Sequence, residues 1–143
     1  MFSKACKYAI NAMTYIATLP KERDRVGLKE ISKEINSPEA FTAKILQVLV
    51  KDHLLTSIKG PNGGFTMRGK SEEIFLGQIV EAIDGDLLFT GCALGLEHCN
   101  AHHPCAVHHK FKAIRDHLAG MLMTTSLKEV AFGINNGTNF LRS

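Results

Sequence analysis

The sequence predicts a mainly α-helical fold with one small β-hairpin. Apolar residues recur at helical spacing along most of the 143-residue chain, and one glycine-rich turn, Gly60-Pro61-Asn62-Gly63-Gly64, separates two short strand-like runs. With 45% hydrophobic and 22% charged residues, the chain can bury one sizeable core. This composition argues against intrinsic disorder.

The first third of the chain predicts a helix-turn-helix. Residues 3–18 carry apolar side chains on one face of a first helix, and Leu28 to Ile35 form a short second helix. We expect Ser37 to cap a third helix, with Pro38 at its first position, and this helix to run to about Asp52. Two short helices joined by a tight turn are the unit that places a recognition helix on DNA.

The third helix has two predicted faces. Its inward stripe is Phe41, Ile45, Val48 and Leu49, which leaves outward the residues Glu39, Ala40, Thr42, Ala43, Lys44 and Gln47. Three outward residues are candidate readers of DNA: Thr42 for a thymine methyl or an acceptor, Lys44 for a guanine or phosphate, and Gln47 for an adenine. A merely solvated face is the alternative.

A hairpin follows the third helix, with predicted strands from Leu54 to Lys59 and from Phe65 to Arg68. Its tip is basic and glycine-rich, so it can approach a phosphate backbone or enter a minor groove closely. The candidate DNA contacts of this wing are Lys59, Gly60, Pro61, Asn62 and Gly63. An ordinary hairpin without a DNA contact is the alternative.

The second half predicts a fourth helix, a long loop and a long helix before the tail. The fourth helix spans Leu76 to Ile83, and residues 84–105 are polar, glycine-containing and irregular, as is typical of a functional loop. Ser126 to Glu129 form a capping box that opens a short last helix, and the tail from Gly133 is expected to fray.

The long helix carries an apolar seam with spacings of 4, 3, 4 and 3 residues: Val107, Phe111, Ile114, Leu118 and Met121. Two copies can pair along this seam, which predicts a homodimer interface. Burial against the same chain is the alternative. The expected regions are a winged helix-turn-helix over 1–83, a cysteine-rich loop over 84–105, and a dimerisation helix with its tail over 106–143, all within one integrated domain.

Positive charge is concentrated in the first half. Residues 1–70 carry 12 Lys and Arg against 6 Asp and Glu, whereas residues 71–143 carry 5 against 8. Clustered cations displace the counterions condensed on phosphates, so the first half predicts a double-stranded DNA partner. No Ser/His/Asp arrangement, P-loop or paired carboxylates support an enzyme. No apolar run approaches the ~18 residues of a membrane span and no secretory signal opens the sequence, so we expect a cytoplasmic protein without a membrane partner.

Three of the four cysteines lie in the loop, in the pattern Cys92-x6-Cys99-x5-Cys105-x2-His108. Three thiolates and an imidazole are the donors that suit tetrahedral zinc or one iron–sulfur cluster. If Pro104 begins the long helix, Cys105 and His108 project from its first turn towards one point, and His109 fits almost as well. Free thiols in a surface loop are the other alternative.

The fourth cysteine, Cys6, stands alone on the first helix beside the apolar stripe. A lone cysteine in this position is most simply a small buried hydrophobe. A reactive or ligating thiol is the alternative.

Several of these motifs together resemble the Rrf2 family of bacterial winged-helix regulators over roughly residues 1–132. They are Ser3-Lys4-x-Cys6-Lys7-Tyr8-Ala9, Leu28-x2-Ile31-Ser32, Leu46-x2-Leu49 leading to Leu54, Lys59-Gly60-Pro61-x-Gly63-Gly64-Phe65, and the three-cysteine loop. The resemblance implies a homodimer whose long C-terminal helices cross. It also implies that each wing and recognition helix meets one half of a palindromic operator.

The resemblance further implies the ligands of an iron–sulfur cluster. The three loop cysteines match the family's cysteine ligands, and Cys105-x2-His108 looks like the IscR-type arrangement for a [2Fe-2S] cluster, which moves iron–sulfur ahead of zinc. NsrR-type members take a fourth ligand from the partner's first helix, where this chain has Lys7 next to Cys6.

The chain departs from the family pattern at two places. The first cysteine gap is x6 rather than the more usual x5, and Ala43 stands where IscR-type members tend to carry an acidic residue. The first departure bears on cluster type and the second on operator preference.

These observations together predict a DNA-binding transcriptional repressor that senses iron, redox or nitric oxide state through an iron–sulfur cluster. A zinc-bound or clusterless thiol-sensing regulator is one alternative. A non-DNA-binding iron–sulfur carrier or protein-interaction module is the other.

Overall fold

The structure, a computed structural model, describes residues 1–141; residues 142–143 of the predicted tail region lie outside the described residues. The described chain is mainly α-helical with one antiparallel hairpin, as predicted. Its elements are α1 (Lys4–Thr18), α2 (Leu28–Glu34), α3 (Glu39–Lys51), β1 (Leu55–Ile58), β2 (Gly64–Met67), a short 3-10 turn (Ser71–Glu73), α4 (Leu76–Asp84), α5 (Leu87–Thr90), α6 (His108–Thr124) and α7 (Leu127–Asn135).

Helix α1 is the centre of the core, and its bounds agree with the prediction within one residue. Ser3 caps it, because its Oγ accepts a hydrogen bond from the backbone N–H of Cys6 at 3.0 Å. The buried face of α1 comprises Cys6, Ala9, Ala12, Met13, Thr14 and Ile16. Helices α3, α4 and α7, the hairpin and Val26 complete the main core around this face.

A polar network holds α2 against α1. The Tyr15 hydroxyl donates to Glu30 Oε1 at 2.6 Å, and Arg23 pairs with the same carboxylate at 2.7 Å. The hydrogen bonds from Arg23 and Tyr15 lower the pKa of Glu30 to about 2. The carboxylate therefore stays charged at neutral pH and ties the helix-turn-helix to the core.

Helices α2 and α3 meet in a tight turn at Asn36, whose φ of +52° lies in the left-handed region. The predicted cap at Ser37 is wrong by one residue. The backbone N–H of Ser37 donates to the Ser32 carbonyl at 3.0 Å, so Ser37 still closes the turn after α2. Pro38 is the N-cap, and α3 begins at Glu39.

The inward face of α3 is rotated from the predicted one. The buried residues are Thr42, Ile45, Leu46 and Leu49, at the spacing i, i+3, i+4, i+7. Phe41 is only half-buried, and Val48 is 38% exposed. Thr42 can be buried because its hydroxyl donates to the Pro38 carbonyl at 2.9 Å, which leaves no unsatisfied donor in the core.

The wing is a two-stranded hairpin in which Leu55 pairs with Met67 and Ile58 with Gly64. The strands lie within one residue of the predicted bounds at each end. A third segment anchors the wing: the Val26 N–H donates to the Phe65 carbonyl at 2.9 Å, and the Phe65 N–H donates back to Val26 at 2.8 Å. Because this bridge involves the α1–α2 loop, the wing has a fixed position beside the helix-turn-helix.

A second, smaller core joins α1, α4 and α6 through Cys6, Val80 and Leu122. At the same end of the molecule, Asp84 at the end of α4 accepts a hydrogen bond from the Ser3 N–H at 3.0 Å and one from the Ser3 hydroxyl. The start of the cysteine-rich loop is thereby fixed to the start of α1.

The loop and the last helices differ from the prediction in three respects. One helical turn, α5, interrupts the loop that was expected to be irregular. Helix α6 begins at His108 rather than Pro104, so Cys105 precedes the helix. Ser126 caps α7 as predicted, accepting from the Glu129 N–H at 3.2 Å, but Gly133 is buried within α7 and is not frayed. No helix within residues 1–141 is long and apolar enough to cross a membrane.

Candidate nucleic-acid interface and metal centre

The exposed face of α3 presents Lys44 and Gln47 to solvent, as predicted. Thr42 does not belong to this face. Its side chain is fully buried and hydrogen-bonded to the backbone, so the prediction that Thr42 contacts a base is wrong. The physical reason is that a threonine methyl packs like a small apolar group once its hydroxyl is satisfied by the preceding turn.

The wing tip is exposed at Lys59, Gly60, Pro61 and Asn62. Gly63 turns the chain so closely that a Cβ there would lie 2.2 Å from the Ile58 carbonyl oxygen, which no side chain tolerates. Arg25 of the α1–α2 loop donates to the Asn62 carbonyl at 3.0 Å and holds the tip from outside the hairpin.

A basic groove of about 450 Å³ separates the α1–α2 loop from the wing. Its cationic lining residues are Lys21, Arg23, Arg25 and Lys70. Arg23 pairs with Glu30 and Arg25 with Asp24, so part of this charge is neutralised within the protein. Part of the positive charge of the first half thus lies beside the wing.

The structure places two of the four predicted metal ligands in contact. His108 Nδ1 lies 3.4 Å from Cys99 Sγ, and Cys105 is near enough to Cys92 to help lower the pKa of the Cys92 thiol. Within residues 1–141, no three His, Cys, Asp or Glu side chains lie close enough together to hold one metal ion. The expectation that Cys105 and His108 share the first turn of a helix is wrong, because α6 starts at His108.

Cys92 has an environment that favours its thiolate. Backbone N–H groups of Leu96 and Leu94 point at its sulfur, and with smaller contributions from Cys105 and Gly95 they lower the pKa of Cys92 below its ordinary value. A thiolate is the form that binds a metal ion or a cluster iron.

The two candidate histidines differ in burial. His108 is 4% exposed, and its Nε2 has no hydrogen-bond partner, whereas His109 is exposed. A buried imidazole nitrogen without a partner is energetically costly unless something else satisfies it. The donor set of three loop cysteines and His108 therefore fits a metal or cluster better than a set with His109.

Cys6 lies in the second core and not among the loop cysteines. It is fully buried in the second core, and burial, with smaller contributions from the Asp84 carboxylate, raises its pKa to about 12. This confirms the prediction of a small buried hydrophobe, since a thiol that stays protonated is a poor nucleophile and a poor ligand.

Comparison with known proteins identifies the family. The profile of Rrf2, described as iron-dependent transcriptional regulators, matches residues 2–132. The chain belongs to the Rrf2 family. Rrf2 proteins are transcriptional regulators rather than enzymes; they bind DNA and are typically dimers. Membership therefore confirms the predicted regulator class and contradicts the alternative of a carrier that does not bind DNA.

The similarity to individual Rrf2 regulators extends over nearly the whole chain. A helix-turn-helix-type transcriptional regulator of Aquifex aeolicus is 32% identical over 133 residues, covering 91% of this chain and 90% of that protein. The transcriptional regulator IscR of Photorhabdus laumondii is 28% identical over 130 residues, covering 91% and 76%. The structure of CymR, the global cysteine regulator of B. subtilis, has a TM-score of 0.77 at 23% identity and covers 92% and 96%, a likeness of fold alone.

In this Rrf2 member, the seam of α6 is left uncovered by its own chain. Val107, Ile114 and Met121, each seven residues from the next, are 37%, 66% and 46% exposed. Phe111 and Leu118 are half-buried, and Leu118 packs on the second core. The alternative of burial within the same chain accordingly holds only for the inner edge of the seam.

Sequence reasoning missed Arg115, which is only 8% exposed and contacts the start of the cysteine-rich loop. The spacing could have indicated this burial, because Arg115 lies seven residues from both His108 and Leu122 and shares the buried face of α6 with them.

Proposed function

We propose that this Rrf2 protein is a homodimeric repressor in the cytoplasm that binds a palindromic operator and senses iron, redox or nitric oxide state through an iron–sulfur cluster. The proposed cluster is [2Fe-2S], with Cys92, Cys99, Cys105 and His108 as ligands. The observation that carries this proposal is the buried His108, which lies beside Cys99 with an unpartnered Nε2.

Three of the four proposed ligands lie in surroundings that favour binding. The backbone N–H groups of Leu96 and Leu94 favour the Cys92 thiolate, and Cys105 makes a smaller contribution to the same effect. His108 is held by the first turn of α6. Bound there, a cluster would supply electron exchange and sensitivity to oxidants and nitric oxide.

The position of the loop explains how its state reaches the DNA. It joins α4, which packs on the helix-turn-helix, to α6, which carries the apolar seam. We expect a change in the loop to alter the direction of α6 relative to the core. In a dimer paired along the two seams, that change alters the spacing of the two DNA-reading halves.

The DNA contacts proposed for each half come from two elements. Lys44 and Gln47 face outward from α3, and the wing tip from Lys59 to Gly63 approaches the backbone or minor groove. The seam residues Val107, Phe111, Ile114, Leu118 and Met121 form the proposed dimer interface.

The ligand assignment is tested by single substitutions in protein purified anaerobically. Cys92→Ala, Cys99→Ala and Cys105→Ala should each abolish the visible chromophore, because losing a thiolate opens an iron site. His108→Ala should be milder and shorten the lifetime of the chromophore, because a neutral imidazole is the weaker ligand. His109→Ala is the matched control and should leave the spectrum unchanged. Loss of colour in Cys6→Ala together with full colour in His108→Ala would place the fourth ligand on α1 and overturn the assignment.

A second candidate function is a zinc-bound or clusterless regulator that uses its thiols directly. The observation in its favour is that the three loop cysteines are free and partly exposed, and that one of them, Cys92, has a lowered pKa. In this case the visible chromophore is absent, and mild oxidation alone changes operator affinity.

A further inference from the structure

The buried face of α6 carries two polar side chains and only one apolar side chain. Three residues at seven-residue intervals line it: His108, Arg115 and Leu122. Leu122 packs in the second core, and His108 lies against Cys99. Since a helix rises about 1.5 Å per residue, Arg115 lies about 10 Å from each of them along the axis. It is the middle contact between the core and the proposed ligands.

Arg115 uses its buried charge to hold the loop. Its Nη1 donates to the carbonyl oxygens of Gly91 at 3.0 Å and Thr90 at 3.2 Å, the two residues directly before Cys92. Asp116 Oδ1 lies 3.5 Å from Nη2, but this carboxylate also pairs with Lys112 on the helix surface. The main partners of the buried guanidinium are therefore neutral backbone carbonyls.

A buried cation that shares its one carboxylate with a surface lysine is a costly way to stabilise a fold, because its desolvation is only partly repaid by the opposite charge. The Arg115 Nε also has no partner. Such a cost is tolerated where the group has a task that an apolar side chain does not perform. Here the task is to fix the two carbonyls that directly precede Cys92.

We propose that Arg115 is a positioning residue that anchors the amino-terminal end of the cysteine-rich loop to α6. It thereby holds Cys92 beside the face of α6 that also carries His108. This inference deepens the proposed function, on which its role in cluster binding rests. The anchor also gives the loop a direct mechanical connection to the helix that carries the seam.

Hydrogen exchange of the metal-free protein tests the anchor, because it needs no cluster. Arg115→Met keeps an unbranched apolar stem but removes all the donors. We expect the hydrogen-bonded amides of Phe89, Thr90 and Gly91 to exchange about tenfold faster, equivalent to about 1.4 kcal/mol of opening free energy. Arg115→Lys retains a charged donor and should restore most of the protection. Lys112→Met removes a cation from the exposed face of the same helix and should exchange like the parent.

The proposal is overturned if Arg115→Met exchanges like the parent, or if Arg115→Lys is as unprotected as Arg115→Met. Arg115→Gln, which keeps one amide donor, replaces the Met variant should that one fail to fold. After anaerobic incubation with iron and sulfide, the chromophore of Arg115→Met should decay several-fold faster than that of the parent, and an equal lifetime contradicts the positioning role. A parent that forms no chromophore at all refutes the proposed cluster, whereas the exchange result still decides the anchor.

Discussion

Few buried polar side-chain atoms of the described residues lack a hydrogen-bond partner, and half of them lie on α6. Among residues 1–141, the four such side-chain atoms belong to Thr14, Ser37, His108 and Arg115. Each costs about 1–3 kcal/mol if nothing satisfies it. Two of the four lie on the buried face of α6, beside the cysteine-rich loop. The two unpartnered atoms on α6 lower the stability of the fold beside the loop, which is typical of a functional site.

Lys59 at the wing tip is expected to contact a phosphate. Lys59→Ala should weaken binding to every duplex and reduce the slope of log affinity against log salt by roughly one unit, the effect of one lost ion pair. Fluorescence anisotropy at several salt concentrations measures this slope. An unchanged slope would remove Lys59 from the set of contacts.

Gln47 on α3 provides the contrast, because a base contact carries sequence information and a phosphate contact does not. Gln47→Ala should change the relative affinities of operator variants by about 1–3 kcal/mol while leaving the salt slope almost unchanged. Equal loss on all sequences would instead show that Gln47 contacts the backbone.

Among the elements, the wing depends on a close approach between two backbones. A Cβ at Gly64 would lie 2.6 Å from the Val26 carbonyl oxygen, across the bridge that fixes the hairpin. We expect Gly64→Ala to destabilise the protein by about 1–3 kcal/mol, because the bridge must open to accept the methyl group. Urea unfolding measures the loss.

Gly27→Ala is the matched control for this substitution. Gly27 lies next to the same bridge, but a Cβ there meets nothing within 4 Å. We therefore expect only the loss of roughly 0.5–1 kcal/mol that comes from alanine being a poorer N-cap of α2 than glycine. Similar losses in both variants would mean that crowding at the bridge is not the cause.

Elements with a strong local signal could be predicted from the sequence. The apolar stripe of α1 and the capping residue Ser126 of α7 were found where expected, within one residue. The face of α3 could not be predicted, because Thr42 and Leu46 competed with Phe41 and Val48 for the core. Only tertiary packing and the hydrogen bond to Pro38 decide in favour of Thr42.

The arrangement of the cysteine-rich loop was harder to predict from the sequence than the buried face of α3. Spacing indicated a donor set but not its pairing, because a loop of this length has many conformations. The start of α6 at His108 and the buried Arg115 depend on contacts with distant residues such as Thr90 and Gly91. Periodicity along one helix does not reveal such contacts.

At the scale of the whole molecule, the exposed seam of α6 predicts self-association. Ile114→Asp places a carboxylate in the centre of the seam in both subunits, where it would be desolvated on pairing. We expect the dimer to dissociate about 100-fold more readily, giving monomers in sedimentation experiments at micromolar concentration.

Ala113→Asp introduces the same charge at an exposed neighbouring position, about 100° away around the helix, and should leave the dimer intact. An intact dimer in Ile114→Asp would show that the seam is not the interface.

The cluster proposed for the loop of this Rrf2 regulator can be detected without any substitution. The visible absorption spectrum of the full chain purified without oxygen, combined with analysis of its iron, sulfide and zinc content, tests whether it is present. We expect a coloured protein with iron and sulfide in equal amounts, about two of each per chain for a [2Fe-2S] cluster. A colourless protein with one zinc ion per chain and no sulfide would contradict the proposal.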